Sequence, residues 1–303
     1  MRKKNLWHFL PIVCVFLLVQ PYTAAGDEIQ LFTSQNYQGS GIKAGLRLMG
    51  GGILIGRNDI NDELKGTNDF YEDRSDIIVL SGKYKPANTL LDFMGEFFVN
   101  FAPNLELGIG SGYFTGGKES TVITEWPSSD VNEKTVFPKF SAVPITLSLY
   151  YGVPISNSMK VIIGAGAGYY LGSVEWEEYR KYDSEEYKQS WSAKSNALGF
   201  HGGVHFELKF TKHSAFVAGG RGRYVVLKNL VGDKEWQYLG GNWGTEEDYI
   251  LWSYIFEDSA TGNKYPRIGF SDEKVKSQYF SDVEEGDVSL SGIVFQAGIK
   301  VTF

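Results

Sequence analysis

From Ile293 to Phe303 the odd positions Ile293, Phe295, Ala297, Ile299, Val301 and Phe303 are all apolar. The even ones, Val294, Gln296, Gly298, Lys300 and Thr302, are mostly small or polar. A period of two is the signature of a strand with one apolar face and one polar or crowded face. The same period recurs along most of the sequence, and it sets what the chain can become.

Eight segments carry it. The first, 41–55, places Ile42, Ala44, Leu46, Leu48 and Leu54 opposite Lys43, Gly45, Arg47 and Gly51. The segments 90–101 and 105–115 are joined only by Ala102-Pro103-Asn104. A second pair, 141–153 and 159–171, turns over residues 154–158, and a third, 196–210 and 215–228, turns over 211–214. The eighth is 290–303. Pro144 lies inside the fourth segment and lacks a ladder donor, so it predicts a bulge or a later strand start there. Three short turns then alternate with four long connections, 56–89, 116–140, 172–195 and 229–289. Segments 121–126 and 134–140, flanking Pro127-Ser128-Ser129-Asp130, look like hairpin arms.

The beginning of the chain has a different character. Met1-Arg2-Lys3-Lys4 is cationic, an apolar run follows through Val19, and Thr23-Ala24-Ala25-Gly26 offers small residues for cleavage after Ala25. This is the three-part pattern of a secretory signal peptide, expected over residues 1–25, with 26–40 as a short extension before 41–303. Losing the three cations Arg2, Lys3 and Lys4 takes the formal charge from -7 to -10. An acidic mature chain argues against nucleic acid as a partner. The single cysteine, Cys14, lies within the apolar run, which leaves no disulfide framework or cysteine-based metal site.

Every segment reaches the roughly 9–11 residues that a tilted strand needs to cross a bilayer. Short turns on one side and long loops on the other are the layout of outer-membrane barrels, closed because an open edge in hydrocarbon would strand backbone N–H and C=O groups. Aromatics near the segment ends (Phe101, Tyr151, Phe210 and Phe303 toward the turns; Tyr113, Tyr169, Phe200 and Tyr224 toward the loops) read as interfacial girdles. With this topology and its terminal aromatic strand, the chain resembles the small eight-stranded outer-membrane barrels, the group that includes the OmpA transmembrane domain and OmpX-like proteins. The resemblance implies an all-β fold, an eight-stranded antiparallel up-and-down transmembrane barrel with four long extracellular loops and both termini periplasmic. It also implies contact with outer-membrane lipid and lipopolysaccharide, insertion by the barrel-assembly machinery with Phe303 as a sorting signal, and a structural, adhesive or surface-interaction role.

On the inward face the alternation places Lys43, Arg47, Lys160, Lys209, Arg221, Arg223 and Lys300 against Asp92, Glu96, Glu106 and Glu207, with His201 and His205 between them. A lone buried charge is costly, so these groups are expected to form a paired plug, with Arg221 and Arg223 meeting Glu96, Glu106 or Glu207. The glycine columns 108/110/112 and 164/166/168 leave room for long side chains from across the barrel. They could equally leave a water path, which makes a narrow channel the second reading. A lipid A-modifying enzyme is the third, weakened because His213-Ser214 falls in a turn on the wrong side. Gly164-Ala165-Gly166-Ala167-Gly168 is no phosphate loop, because no helix follows it. Residues four apart in a strand are roughly 13 Å apart, so His201, His205 and Glu207 fit lumen hydrogen bonding better than a shared metal site. No cofactor and no catalytic group is expected. The longest loop instead offers Trp236, Tyr238, Trp243, Tyr249, Trp252 and Tyr254 as recognition residues for an extracellular ligand, or as the packing of a small cap.

Overall fold

In the computed structural model, residues 42–127, 130–182, 185–238 and 241–303 are described. The signal-peptide reading for 1–25, the 26–40 extension, Cys14 and the first strand residue 41 lie outside the described residues. The order is β1 (Lys43–Ile55), α1 (Asp59–Asp73), β2 (Ile78–Gly82), β3 (Thr89–Ala102), β4 (Leu105–Gly117), β5 (Ser120–Glu125), β6 (Val131–Pro154), β7 (Met159–Tyr182) and β8 (Glu185–Lys209). It continues with β9 (Ser214–Tyr224), β10 (Val226–Leu227), β11 (Val231–Tyr238), β12 (Trp243–Glu257), β13 (Lys264–Ser271), β14 (Phe280–Glu285), β15 (Val288–Ser289) and β16 (Gly292–Thr302).

All ladders are antiparallel. β1 pairs with β3, β3 with β4, β4 with β6, β6 with β7, β7 with β8, β8 with β9, β9 with β16, and β16 with β1 again. The ladder thus returns to its starting strand. Each of these strands has a neighbour on both sides, so its backbone polar groups are met within the ring. Asn104 takes φ 62° in the β3–β4 turn, a left-handed conformation that asparagine tolerates well. The other two short turns and the meeting of β1 with β16 lie at the same end, where Phe303 N–H donates to Ala44 O at 2.8 Å.

The face turned away from the ring is apolar and exposed. Leu48, Phe93, Ile109, Leu147, Phe206 and Phe295 are each more than half exposed. Phe101, Tyr151, Phe210 and Phe303 are exposed at the turn end, and Tyr113, Tyr169, Phe200 and Tyr224 at the opposite end.

Sixteen strands among the described residues exceed the eight read from periodicity. Of the extra eight, β2, β5 and β11 through β15 lie in segments expected to be loops, whereas β10 is the end of the expected strand 215–228, split from β9 at Val225. Residues 172–182 and 185–195 are strand, not loop: β7 and β8 stay in register from Met159↔Leu208 to Tyr182↔Glu185. The arms read at 121–126 and 134–140 are β5 and the outer part of β6.

Residues 59–73, expected to be loop, form α1. Asn58 caps it by accepting from Asn61 N–H at 2.9 Å, and Asp59 and Asp62 favour its positive end. Ile60, Leu64 and Tyr71 form its buried stripe. Pro144 makes no bulge. The β4–β6 register is unchanged on either side of it (Ser111↔Ile145, Phe114↔Ala142), and Ser111 Oγ donates to Pro144 O at 3.0 Å. The lost donor interrupts the ladder without shifting it.

Candidate functional site

Two polar centres stand out, one within the ring and one beyond its far end. Inside, the register brings Arg47 beside Glu96, with Lys300 as its other neighbour. Arg47 forms ion pairs with both Glu96 and Glu106. Tyr150 Oη–H donates to Glu96 at 2.7 Å, and Lys300 joins Glu106 to Glu207, the latter at 3.1 Å. Lys160 reaches Glu207 at 3.2 Å. Three cations thus meet three carboxylates. The Arg47 guanidinium also lies 4.6 Å from the Tyr150 ring, and Lys300 Nζ lies 4.2 Å from Phe98. Gly108 and Gly164 serve this cluster directly: a Cβ at Gly108 would collide with the Glu96 carboxylate, and one at Gly164 with the Tyr150 ring.

Toward the other end of the ring the balance changes. Arg221 approaches Asp92 at 3.8 Å, not Glu96, Glu106 or Glu207 as expected. Arg223 forms no ion pair among the described residues. Its guanidinium lies 3.9 Å from the Phe114 ring centre, and its Nε–H donates to Leu290 O at 3.2 Å. Height along the strands separates both arginines from Glu106 and Glu207, which sit near the turns, while mid-strand Glu96 is already held by Arg47 and Tyr150. His201 Nε2 lies 2.9 Å from Ser148 Oγ and His205 Nε2 lies 2.9 Å from Gln296 Nε2, so His201, His205 and Glu207 have three separate sets of partners. Two expected members do not join: Lys43 and Lys209 have the right phase but are exposed at the rim, where the strands end.

Above the arginines the ring is packed shut. Ile53, Leu90, Phe114, Leu227, Leu290 and Val294 are at most 1% exposed and belong to one apolar cluster. The short pair β10–β15 carries Leu227 into it, fastened by Leu290 N–H donating to Val225 O at 2.9 Å.

The second centre is built where β6, β7 and β8 continue past the ring and β11 through β14 add to the same sheet. Trp176 and Trp191 face each other across β7–β8, with ring centres 5.9 Å apart and planes 4° from parallel. Phe270 of β13 stacks on Trp191 at 4.9 Å. One register step further out, Glu178 pairs with Gln189, and beyond them Lys134 lies opposite Arg180. Glu178 is bound by Arg180 Nε and by Lys134 Nζ at 3.0 Å. α1 closes the other side: Glu63 accepts from the Ile268 N–H at 2.9 Å, and Tyr265 Oη–H donates to Asp73 at 2.9 Å. Between these walls lies a half-open cavity of about 240 Å3.

Burial alone would push the Glu178 carboxyl up, but Lys134 and Arg180 outweigh it and hold the group below its ordinary value of 4.5. Its contribution to folding is therefore present above about 4.5 and is lost as pH falls through the lowered folded value. Amide protection factors, taken against the intrinsic rate at each pH, should fall at the outer ends of β6, β7 and β8 on acidification in that window, and Glu178→Gln should remove the acid dependence. Protection factors in the wild type that stay constant through that window would contradict this.

The expected recognition residues divide. Trp243 is 75% exposed and Tyr238 is also exposed. Trp236 and Tyr249 are half-buried. Trp252 is buried with its indole N–H donating to Ser271 O at 3.2 Å, and Tyr254 packs on Phe280 at 4.4 Å. The last two hold β12 against β13 and β14. The reading of a ligand-facing aromatic loop omitted Phe270 and gave no role to Glu178, Gln189 or α1.

Comparison with known protein families and with curated proteins gives no match. Among solved structures the chain is similar to the outer membrane protein OprG from Pseudomonas aeruginosa. The two are 16% identical over 87% of this chain and 98% of that one, with a TM-score of 0.34.

Proposed function

We propose that the chain is an outer-membrane protein: an eight-stranded barrel spanning the bilayer, with the turn end toward the periplasm and the opposite end outside. Its work is recognition at the cell surface through the dome of β6–β8, β11–β14 and α1. The observation that carries this reading is the pairing of a ring without edges to an exposed apolar outer face. In water such a continuous apolar surface would drive association, whereas lipid satisfies it. The two bands of exposed aromatics fit the two interfaces, where contact with lipid and lipopolysaccharide would lie.

The balanced charge cluster and the apolar seal above it favour a closed bore over a channel. An eight-stranded ring is just wide enough for side chains to fill it. The scattered partners of His201, His205 and Glu207 favour a non-catalytic role. The test has two arms. Protein taken from outer membranes should migrate differently before and after boiling, as folded barrels do, and should give no single-channel currents in planar bilayers. Migration indifferent to boiling would remove the barrel reading. Stable currents would replace the closed bore with a pore.

A further inference from the structure

We propose that the extracellular cavity bounded by Trp191, Phe270, Glu178, Gln189, Arg180 and Lys134 is a binding site for a neutral sugar ring. The proposal rests on the surface-recognition reading and names its ligand class. The cavity, at about 240 Å3, lies just under the ~300–1,000 Å3 typical of small-molecule sites, which suits one ring better than a long chain.

Its two walls differ in chemistry as a sugar's do. Trp176 and Trp191 are each 5% exposed and stacked on one another, so it is half-buried Phe270, with the tryptophan edges, that offers apolar carbon for the C–H surface of a pyranose. The row above offers an ionised carboxylate, an amide and two cationic donors for its hydroxyls. Gln189 Oε1 already accepts from Tyr187 Oη–H at 2.7 Å, and among the described residues its amide N–H groups have no partner.

Charge selects against ionic ligands. Glu178 is shared by Lys134 and Arg180, Lys234 lies 3.5 Å from Glu246, and Glu63 lies 3.7 Å from Arg267. Every charged group around the cavity has an opposite partner. A charged ligand would compete within these pairs, an anion with Glu178 for Lys134 and Arg180 and a cation with those two for Glu178, whereas hydroxyl groups can add donors and acceptors alongside them.

The experiment is saturation-transfer NMR on the full chain folded in a sugar-free detergent such as a dimethylamine oxide. Glucose, galactose and N-acetylglucosamine serve as neutral probes, and glucosamine and sialic acid as charged ones. At least one neutral sugar should give saturable transfer, with weaker signals from both charged probes. Gln189→Leu, whose fold is checked by heat-dependent migration, should weaken that binding by up to about tenfold. Absence of saturable transfer from all neutral sugars at tens of millimolar overturns the proposal, as does tighter binding of a charged probe. Either failure leaves boiling-dependent migration and bilayer silence unaffected, so it is distinguishable from failure of the barrel reading.

Discussion

Arg47→Met should destabilise the folded protein by about 3–5 kcal/mol, the cost of removing one partner from a buried ionic cluster. Arg47 is 2% exposed and holds two carboxylates at once. Without it, Glu96 keeps only the Tyr150 hydroxyl, while Glu106 keeps Lys300. The guanidinium also covers the Phe98 and Tyr150 rings, at 5.5 and 4.6 Å from their centres, so some packing is lost as well. The double variant Arg47→Met/Glu96→Gln separates the two causes. It restores the charge balance, so it should recover most of the loss if unpaired charge dominates. The readout is the urea midpoint for unfolding from lipid vesicles. A single variant as stable as the wild type would mean that the cluster is solvated and that the bore holds water.

The second large effect concerns the outside of the wall. Leu147 and Ile163 are 52% and 41% exposed, and Leu147 lies midway between the girdle residue Tyr151 and the strand's outer stretch at Val143. Leu147→Arg and Ile163→Arg should each cost about 2–4 kcal/mol in lipid vesicles, the penalty for a cation on the lipid face of a barrel near the midplane. Ser148 sits one residue away, 1% exposed beside His201. Ser148→Arg should fail through overpacking in any bilayer, whereas the Leu147→Arg penalty should shrink as the bilayer is thinned. Equal stability of Leu147→Arg and wild type in vesicles would place that face in water.

The ring strands were legible because each obeys a period of two along its length within the ring, and because one phase collects charge while the other collects large apolar residues. Arg47, Glu96, Glu106, Lys160, Glu207 and Lys300 all follow from that phase alone. Phase does not encode height, however. Lys43 and Lys209 share the phase of the cluster but stand at the last rungs, where the wall ends and solvent begins. The same blindness assigned Arg221 and Arg223 to the wrong carboxylates. Tyr150 has the phase of Ser148 and so is legible in the same way, although a tyrosine beside the outward Tyr151 carries no charge to mark it as part of the cluster.

The dome was hidden for a different reason. Beyond the ring the buried face of β7 runs Val174, Trp176, Glu178, so a charge falls where alternation expects an apolar side chain. Only tertiary partners on β6 and from Arg180 make that burial tolerable. α1 does carry a signal within the long connection: Asn58 before Ile60, Leu64, Thr67 and Tyr71 is a capped stripe at helical spacing.

The most direct test of the whole account is a nitroxide scan along residues 141–153 of β6 in lipid vesicles, reading collision with oxygen and with a water-soluble nickel complex. Labels at Val143, Ile145, Leu147, Leu149 and Tyr151 should meet oxygen and avoid nickel, with the oxygen signal strongest at Leu147. Labels at Ala142, Thr146, Ser148 and Tyr150 should be shielded from both. High nickel access at the odd positions would contradict a membrane-spanning wall, and strong nickel access at the even ones would contradict a closed bore.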